Sequence, residues 1–443
     1  MYTDLTKGNI TKTLILFVLP MMAGNLLQQF YNIADTLIVG KFLGSNALAA
    51  VGSAFTLMTF LTSILLGLSM GAGAVFSIYQ GRGDTARLKS AILHAFGLIV
   101  LIAVILNIIV FIYIDVIITF LQVPEPIYPL MREYLWIIFS GIFATFLYNF
   151  FSCLLRSIGD SRAPLIFLGI SAVLNVGLDL LFVLVFQWGV GGAAIATVIA
   201  QYIAGIGISI YTLIQCREIR PIRSDFCWNS AILKEICQLS IFTCVQQSIM
   251  NFGILMVQGL VNSFGPTIMA AFAAAVKIDS FAYMPVQDIG NGFSTFVAQN
   301  YGAGKFDRIR QGTKKIVLLT ILFSAAVSSV VVICARYLML IFVQPQETEI
   351  LAQGVHYLRI VGFFYWGIGC LFLLYGFYRA VKRPGMSVIL TVISLGARVA
   401  LAYLLSGLIG VTGIWVAIPI GWILADATGL IYYWRHHADL FKN

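Results

Sequence analysis

Long apolar stretches follow one another along almost the whole chain, and each is ended by a short polar segment. Stretches of about 20 apolar residues or more are long enough to cross a bilayer as helices. An alternation with a period of two, which barrel strands show, is absent. We predict twelve membrane-spanning helices, six in each half of the chain, near residues 13–39, 52–79, 90–120, 130–155, 163–187, 189–215, 236–263, 267–300, 316–343, 350–378, 385–408 and 410–434.

The second half of the chain repeats the first half at an offset of 221 residues. Gly81-Arg82-Gly83 recurs as Gly302-Ala303-Gly304, and further along Arg156 matches Arg379 at an offset of 223. Such a repeat in an apolar chain is typical of a duplicated transporter body. Because six crossings bring each copy into the membrane from the same side, we expect two six-helix lobes related by an axis along the membrane normal.

The composition also favours a membrane protein. Of the 443 residues, 60% are hydrophobic and 10% are charged, so a single soluble core is unable to bury the apolar surface. We therefore predict an all-α integral membrane protein. Its parts are an N-lobe at 1–215, a cytoplasmic linker at 216–235 and a C-lobe at 236–443.

Positive charges are unevenly distributed between the two sides of the predicted membrane. Of the Lys and Arg residues, 21 fall on the side that holds both termini, and four fall opposite: Lys41, Arg132, Arg336 and Arg359. The positive-inside rule places both termini in the cytoplasm. It also explains the net charge of +9 without a nucleic-acid partner. We expect a monomer in contact with lipid, in a bacterial-type plasma (inner) membrane.

The chain contains no recognisable catalytic or nucleotide-binding motif. GxxxxGK[ST], HExxH, GxSxG and paired-carboxylate patterns are absent, and the seven cysteines show no metal or redox spacing. We predict neither an enzyme nor an ATP-driven pump, and no cofactor.

Ionisable side chains within the spans are the main functional candidates, because a charge in hydrocarbon costs at least about 2.5 to 3.5 kcal/mol. For each of them, an interhelical pair or contact with a wet cavity is the alternative to a functional role. Asp426 lies about two turns from the cytoplasmic end of its predicted span, so we expect it to be interfacial. The candidates are Asp35, Asp179, Lys277, Asp279, Asp288, Arg398 and Asp426.

Asp35 ends a stripe of polar residues on the first predicted helix. Asn25, Gln28, Asn32 and Asp35 fall within an arc of about 80 degrees at helical periodicity. The second half keeps a similar stripe of amides, but the residue equivalent to Asp35 is Met256.

Asp35 is expected to lie at the same depth as Asp179 and Thr197, which belong to two other spans. Asn175 shares a helix face with Asp179, since the two are four residues apart. Two neighbouring buried carboxyl groups are able to exchange a proton, because both ionise together only at high cost. Their oxygens are equally suited to a hard cation such as Na⁺. We predict a cation-coupling site formed by Asp35, Asn175, Asp179 and Thr197.

The second half lacks this combination, and Arg398 stands where the repeat places Asn175. We expect Arg398 and Asp279 to form a structural ion pair. Together with Lys277, they are expected in the outer half of the C-lobe, and a role in substrate binding is the alternative.

Several motifs resemble those of multidrug and toxic compound extrusion (MATE) transporters. They are Phe17 to Pro20, Gln29-Phe30-Tyr31-Asn32, Phe42-Leu43-Gly44, Gln80 to Gly83, Arg156 to Pro164 and Gln299 to Gly304. The resemblance implies alternating access of a V-shaped cavity, driven by a proton or sodium gradient, and a first helix bent at Pro20. It also implies that the four predicted coupling residues match the N-lobe network of the DNA-damage-inducible-type branch. The norfloxacin-exporter branch carries acids on spans 7 and 10, which this chain lacks.

The predicted function is multidrug efflux by an antiporter that exchanges organic, cationic or amphipathic small molecules for H⁺ or Na⁺. Aromatic and Met side chains suit varied cations, and the candidates for the substrate cavity are Gln28, Tyr31, Asn32, Gln247, Asn251, Tyr283 and Met284. A flippase for a lipid-linked precursor is the alternative; Lys277 and Arg398 favour it, and the acidic N-lobe argues against it. A passive channel is disfavoured by the duplicated lobes.

Overall fold

The computed structural model describes residues 3–120, 123, 125–220 and 228–440, and these residues form helices and no strand. The predicted linker at 216–235 includes residues 221–227, which lie outside the described residues.

The described residues form fourteen α-helices and one π-helix. In chain order they are α1 (Ile10–Leu43), α2 (Ser45–Arg82), α3 (Thr85–Phe120), α4 (Tyr128–Ser140), α5 (Ile142–Ser157), α6 (Arg162–Asp179), the π-helix (Leu180–Val185), α7 (Gly189–Gln215), α8 (Ser230–Asn262), α9 (Pro266–Gly302), α10 (Phe306–Met339), α11 (Thr348–Phe363), α12 (Tyr365–Ala380), α13 (Pro384–Ile409) and α14 (Val411–Leu440).

Ten helical segments are long and apolar enough to cross a membrane, within the part of the chain that is described. The pairs α4/α5 and α11/α12 each provide a further candidate span, bent by 45° and 50° respectively. The total reaches twelve when each bent pair is one span. The prediction of an all-α membrane protein is therefore confirmed.

The sequence predicted continuous helices where these two bends occur. At the first bend, the Gly141 amide donates to the Ile138 carbonyl across 3.0 Å, and at the second, the Phe364 amide donates to the Val361 carbonyl across 3.0 Å. Such contacts between residues three apart tighten the last turn and interrupt the α-helical ladder. Gly141 and Phe364 are related by the offset of 223, so the bend belongs to the repeated unit.

The internal repeat is also visible in the turns that join the helices. Left-handed backbone conformations occur at both members of four repeat-related pairs: Gly44 and Gly265, Gly83 and Gly304, Gly159 and Lys382, and Gly189 and Gly410. The two halves therefore share their turn geometry as well as their helix order.

The chain divides into two compact units. Unit 1 contains Met1–Asp4 and Leu19–Cys244, and unit 2 contains Leu5–Val18 and Val245–Asn443. Unit 1 therefore includes the start of α8, up to Cys244, and the rest of α8 belongs to unit 2. Unit 2 includes the start of α1, up to Val18, and the rest of α1 belongs to unit 1. The predicted lobes at 1–215 and 236–443 follow the sequence repeat alone, and they stay a prediction.

Glycines at equivalent positions allow each of these helix starts to pack closely. In unit 1, a Cβ on Gly71 of α2 would lie 2.4 Å from the Cα of Ser240 on α8. In unit 2, a Cβ on Gly292 of α9 would lie 2.4 Å from a side-chain methyl of Val18 on α1. Membrane helices approach closely where their residues are small, so both contacts require glycine.

The chain segment before α1 is held within unit 2 by hydrogen bonds from one arginine. The Arg308 guanidinium donates to the carbonyl oxygens of Leu5 at 3.2 Å, Lys7 at 2.6 Å and Gly8 at 2.8 Å. These contacts explain why residues 5–18 pack with the second half of the chain.

Candidate functional site

Two of the predicted coupling residues meet at the contact between α6 and α7. The side-chain amide of Asn175 donates a hydrogen bond to the Thr197 hydroxyl across 3.1 Å, and both side chains are buried. At the start of α7, Gly191 packs against Glu133 of α4 and Gly192 packs against Phe182 of the π-helix, where a Cβ would be crowded. Asp179 lies one turn beyond Asn175 on α6 and is completely buried.

Asp35 reaches the same place from α1. Its carboxyl group lies within hydrogen-bonding reach of the Asp179 carboxyl group. Two ionised carboxylates have only acceptor atoms, so a hydrogen bond between them requires one bound proton. Within unit 1, the structure thus brings together all four predicted residues, Asp35, Asn175, Asp179 and Thr197, which we call the acid cluster.

The acid cluster has an excess of hydrogen-bond acceptors. Four of its buried oxygen atoms have no hydrogen-bond donor among the described residues: Oδ1 of Asp35, Oδ1 of Asn175, and Oδ1 and Oδ2 of Asp179. An unsatisfied buried polar group costs about 1 to 3 kcal/mol. A proton or a cation would satisfy these oxygens, whereas a further anion would not.

Two tyrosines line the acid cluster. Tyr31 lies one turn before Asp35 on α1, and Tyr134 belongs to α4. Both phenol groups are close enough to the carboxyl groups of Asp35 and Asp179 to interact with them electrostatically. Tyr31 is one of the predicted residues, whereas Tyr134 was not predicted from the sequence. The repeat contains a signal for it, because Tyr134 and Tyr357 are related by the same offset of 223 as Arg156 and Arg379.

The helix geometry changes directly after Asp179. α6 ends there and the π-helix Leu180–Val185 follows, with the Phe186 amide donating to the Leu181 carbonyl five residues earlier at 3.0 Å. The repeat-related helix in unit 2, α13, continues as an α-helix to Ile409. Short π-helical insertions are frequent at functional sites, so this difference marks the acid cluster as the specialised copy.

The seven predicted cavity residues are divided between the two units. Gln28, Tyr31 and Asn32 belong to unit 1, where Tyr31 is the one beside the acid cluster. Tyr283 stacks on Phe372 with ring centroids 6.5 Å apart. The members in unit 2 are Gln247, which is buried, and Asn251, Tyr283 and Met284, which are partly buried.

Pro20 lies inside α1, which continues as a helix on both sides of it. The bend implied for Pro20 stays a prediction.

The predicted ion pair between Arg398 and Asp279 is wrong. The Tyr357 hydroxyl donates to Oδ2 of Asp279 across 3.2 Å, and no ion pair joins Asp279 to Arg398 in the described chain. The charges of Asp279 and Arg398 are nevertheless near enough to interact. Lys277 lies apart from them, with its ammonium 5.9 Å from the centre of the Phe342 ring.

Asp426 is buried within the protein, and its interfacial depth stays a prediction. Its exposed fraction is 7%, and neither carboxylate oxygen has a hydrogen-bond partner in the part of the chain that is described. The predicted span ended at 434, but α14 continues to Leu440, which places Asp426 about 21 Å from the end of the helix. Asp288 is likewise buried, with an exposed fraction of 1%.

The described residues contain no group of three or more His, Cys, Asp or Glu side chains able to hold a metal ion. A sodium ion at the acid cluster would therefore depend on two carboxylates together with amide and hydroxyl oxygens. These are the hard oxygen ligands that such cations prefer.

Comparison with known proteins extends over both halves of the chain. The family model described as MatE matches residues 20–181 and 241–404. The "Probable multidrug resistance protein YpnP" of Bacillus subtilis is 30% identical, over 97% of this chain and 96% of its own length. A "FAD transporter" of Shewanella oneidensis is 25% identical, over 94% of this chain and 92% of its own length.

The fold also matches a solved structure. A MOP superfamily transporter from Pyrococcus furiosus has a TM-score of 0.93 at 22% sequence identity, covering 100% of this chain and 99% of that one. The arrangement of helices is therefore that of a known transporter fold.

Proposed function

Because the chain belongs to the MatE family of membrane transporters, we propose that it is a secondary active multidrug exporter. In this proposal it exchanges organic, cationic or amphipathic compounds for protons or sodium ions by alternating access. Its membership of a transporter family agrees with the prediction that it is not an enzyme.

The acid cluster is the observation that carries this proposal. Its buried oxygens lack donors, so the cluster binds a proton or sodium ion more favourably than it remains empty. The cluster therefore has two states, with and without the ion, and these differ in net charge. A charge difference inside a membrane protein changes the relative free energies of its conformations, as an ion-driven exporter requires.

Ion and substrate must be linked for exchange to occur. If the bound ion weakens the binding of substrate, substrate weakens the binding of the ion by the same factor. We propose that Asp35 and Asp179 carry the ion, while Asn175 and Thr197 hold Asp179 in place through the contact between α6 and α7.

Transport by reconstituted protein tests this proposal. Proteoliposomes are given a proton gradient, a sodium gradient or no gradient, and the movement of rhodamine 123, an organic cation, is recorded. We expect one of the two gradients to drive transport, and Asp35→Asn or Asp179→Asn to abolish it.

A matched control is available on the surface of unit 1. Asp115 is exposed and forms an ion pair with Arg132 at 2.6 Å, so Asp115→Asn removes an acid from a span end and should leave transport unchanged. Transport by the Asp35 and Asp179 variants at the rate of the Asp115 variant would refute the proposal.

Further predictions accompany this function. Both termini lie in the cytoplasm, and the protein works as a monomer in a bacterial-type inner membrane. The coupling ion needs no additional cofactor.

A further inference from the structure

Unit 2 contains a polar cluster at the position that the repeat relates to the acid cluster. The offset of 223 pairs Tyr134 with Tyr357 and Asn175 with Arg398. Tyr134 lies near the two acids of unit 1, and Tyr357 lies near both Asp279 and Arg398 in unit 2. We call Asp279, Tyr357, Tyr365 and Arg398 the arginine cluster.

The two clusters differ in charge. The positions equivalent to Asp35 and Asp179 hold Met256 and Ala402, and the position of the Asn175 amide holds the Arg398 guanidinium. Asp279 is the one acid of the arginine cluster. Two carboxyl groups in unit 1 are thus replaced by one carboxyl group and one guanidinium in unit 2.

The Asp279 carboxylate is partly satisfied by tyrosine. Tyr357 donates to its Oδ2 at 3.2 Å, and the Tyr365 hydroxyl lies beside the same carboxylate. The Tyr357 ring is fixed by Trp415, at 5.0 Å between centroids and 88° between planes. Among the described residues, neither the other carboxylate oxygen, Oδ1, nor the Tyr365 hydroxyl has a hydrogen-bond partner.

Arg398 is the charged donor of the cluster. Its Nε is buried without a hydrogen-bond partner, and no ion pair or hydrogen bond joins its guanidinium to another residue of the described chain. The rest of the side chain is partly exposed at the surface of unit 2. A guanidinium presents up to five N–H donors in a planar fork, which matches the two oxygens of a carboxylate.

We propose that the arginine cluster binds the carboxylate of a zwitterionic organic compound. Arg398 holds the ligand carboxylate in bidentate fashion, and Oδ1 of Asp279 accepts a hydrogen bond from the cationic nitrogen of the same compound. Tyr283 on α9 supplies an aromatic face beside Asp279. The inference names a substrate class for the proposed exporter, and it rests on that proposed function.

Two dyes that differ in a single carboxylate test this inference. Rhodamine 110 carries a free carboxylate, and rhodamine 123 is its methyl ester. Equilibrium binding of each dye to purified protein in nanodiscs is measured by fluorescence anisotropy, without any ion gradient. Wild-type protein should bind rhodamine 110 more tightly than rhodamine 123.

The decisive variant is Arg398→Gln. Because this variant loses charge-assisted hydrogen bonds to the carboxylate, its affinity for rhodamine 110 should fall about tenfold. Its affinity for rhodamine 123 should change less than about twofold. Arg398→Lys keeps the charge without the planar fork, so it should retain an intermediate preference. Lys277→Gln removes an exposed cation from the same unit and should change neither affinity.

Three outcomes would overturn the inference. They are no preference of the wild-type protein for rhodamine 110, an equal loss of affinity for both dyes in Arg398→Gln, and an unchanged preference for rhodamine 110 in that variant. If Arg398→Gln does not fold, the Arg398→Lys result decides, and a full wild-type preference there refutes bidentate binding.

Binding without a gradient separates this inference from the proposed function. Asp35→Asn and Asp179→Asn should lose ion-driven transport while keeping the preference for rhodamine 110. Failure of the coupling proposal would leave that preference intact.

Discussion

The side-chain amide of Asn175 lies 3.1 Å from the hydroxyl of Thr197, to which it donates a hydrogen bond between α6 and α7. This contact lies one turn from Asp179, at the place where α6 gives way to the π-helix. The hydrogen bond therefore fixes the backbone that carries one of the two acids.

Loss of the Thr197 hydroxyl should lower both stability and transport. Thr197→Val leaves the buried Asn175 amide without an acceptor, at a cost of about 1 to 3 kcal/mol. Thr197→Ser keeps the hydroxyl and should behave like the wild type. The melting temperature is measured by heating each variant and recording the remaining folded protein by size-exclusion chromatography. Equal melting temperatures for the Val and Ser variants would contradict this role.

Gly71→Ala should destabilise unit 1. The added Cβ would lie 2.4 Å from the Cα of Ser240, so α2 and α8 would have to separate. Overpacking of this kind costs about 1 to 3 kcal/mol. Gly52→Ala is the matched control in the same helix, since a Cβ there meets no atom within 4 Å. The account is wrong if the two variants unfold at the same temperature.

Asp426→Asn should leave the stability unchanged or increase it. The carboxylate is buried without a hydrogen-bond partner among the described residues, and a Cβ on Gly367 would lie 3.9 Å from its Oδ2. An amide of the same shape does not ionise, so it avoids the unfavourable desolvation of a buried charge. A clear fall in the melting temperature would show that the Asp426 charge has a stabilising partner.

The topology prediction is tested by reporters. Green fluorescent protein fused after Asn443 should fluoresce, because it folds in the cytoplasm, and alkaline phosphatase at the same position should be inactive. The opposite pattern would place the C-terminus outside and overturn the count of twelve spans.

Much of this architecture was predictable because membrane spans and a duplication leave strong sequence signals. The repeat predicted six spans in each half, and the rarity of acids in apolar segments pointed to Asp35 and Asp179. The structure brings these two residues together, as the sequence predicted.

Other features depend on local geometry that apolar patterns do not encode. The bends at Gly141 and Phe364 replace individual backbone hydrogen bonds within continuous apolar stretches. The burial of Asp426 was not predicted, because it depends on how α14 packs against neighbouring helices. Tyr134 was not predicted because aromatic residues are common in every span, and its repeat relation to Tyr357 gains meaning only once both tyrosines are seen to lie near buried acids.

The central claim is that substrate and coupling ion are linked through the acid cluster. Linkage requires that substrate binding release the ion. Purified protein in weakly buffered solution is mixed with rhodamine 123, and proton release is followed with a pH indicator; a sodium-selective electrode makes the parallel measurement for Na⁺.

We expect the wild-type protein to release one of the two ions when the dye binds. The variant with both Asp35→Asn and Asp179→Asn should bind the dye and release neither. Equal ion release by the wild-type protein and this double variant would contradict the account, and would assign the coupling ion to another acid of the chain.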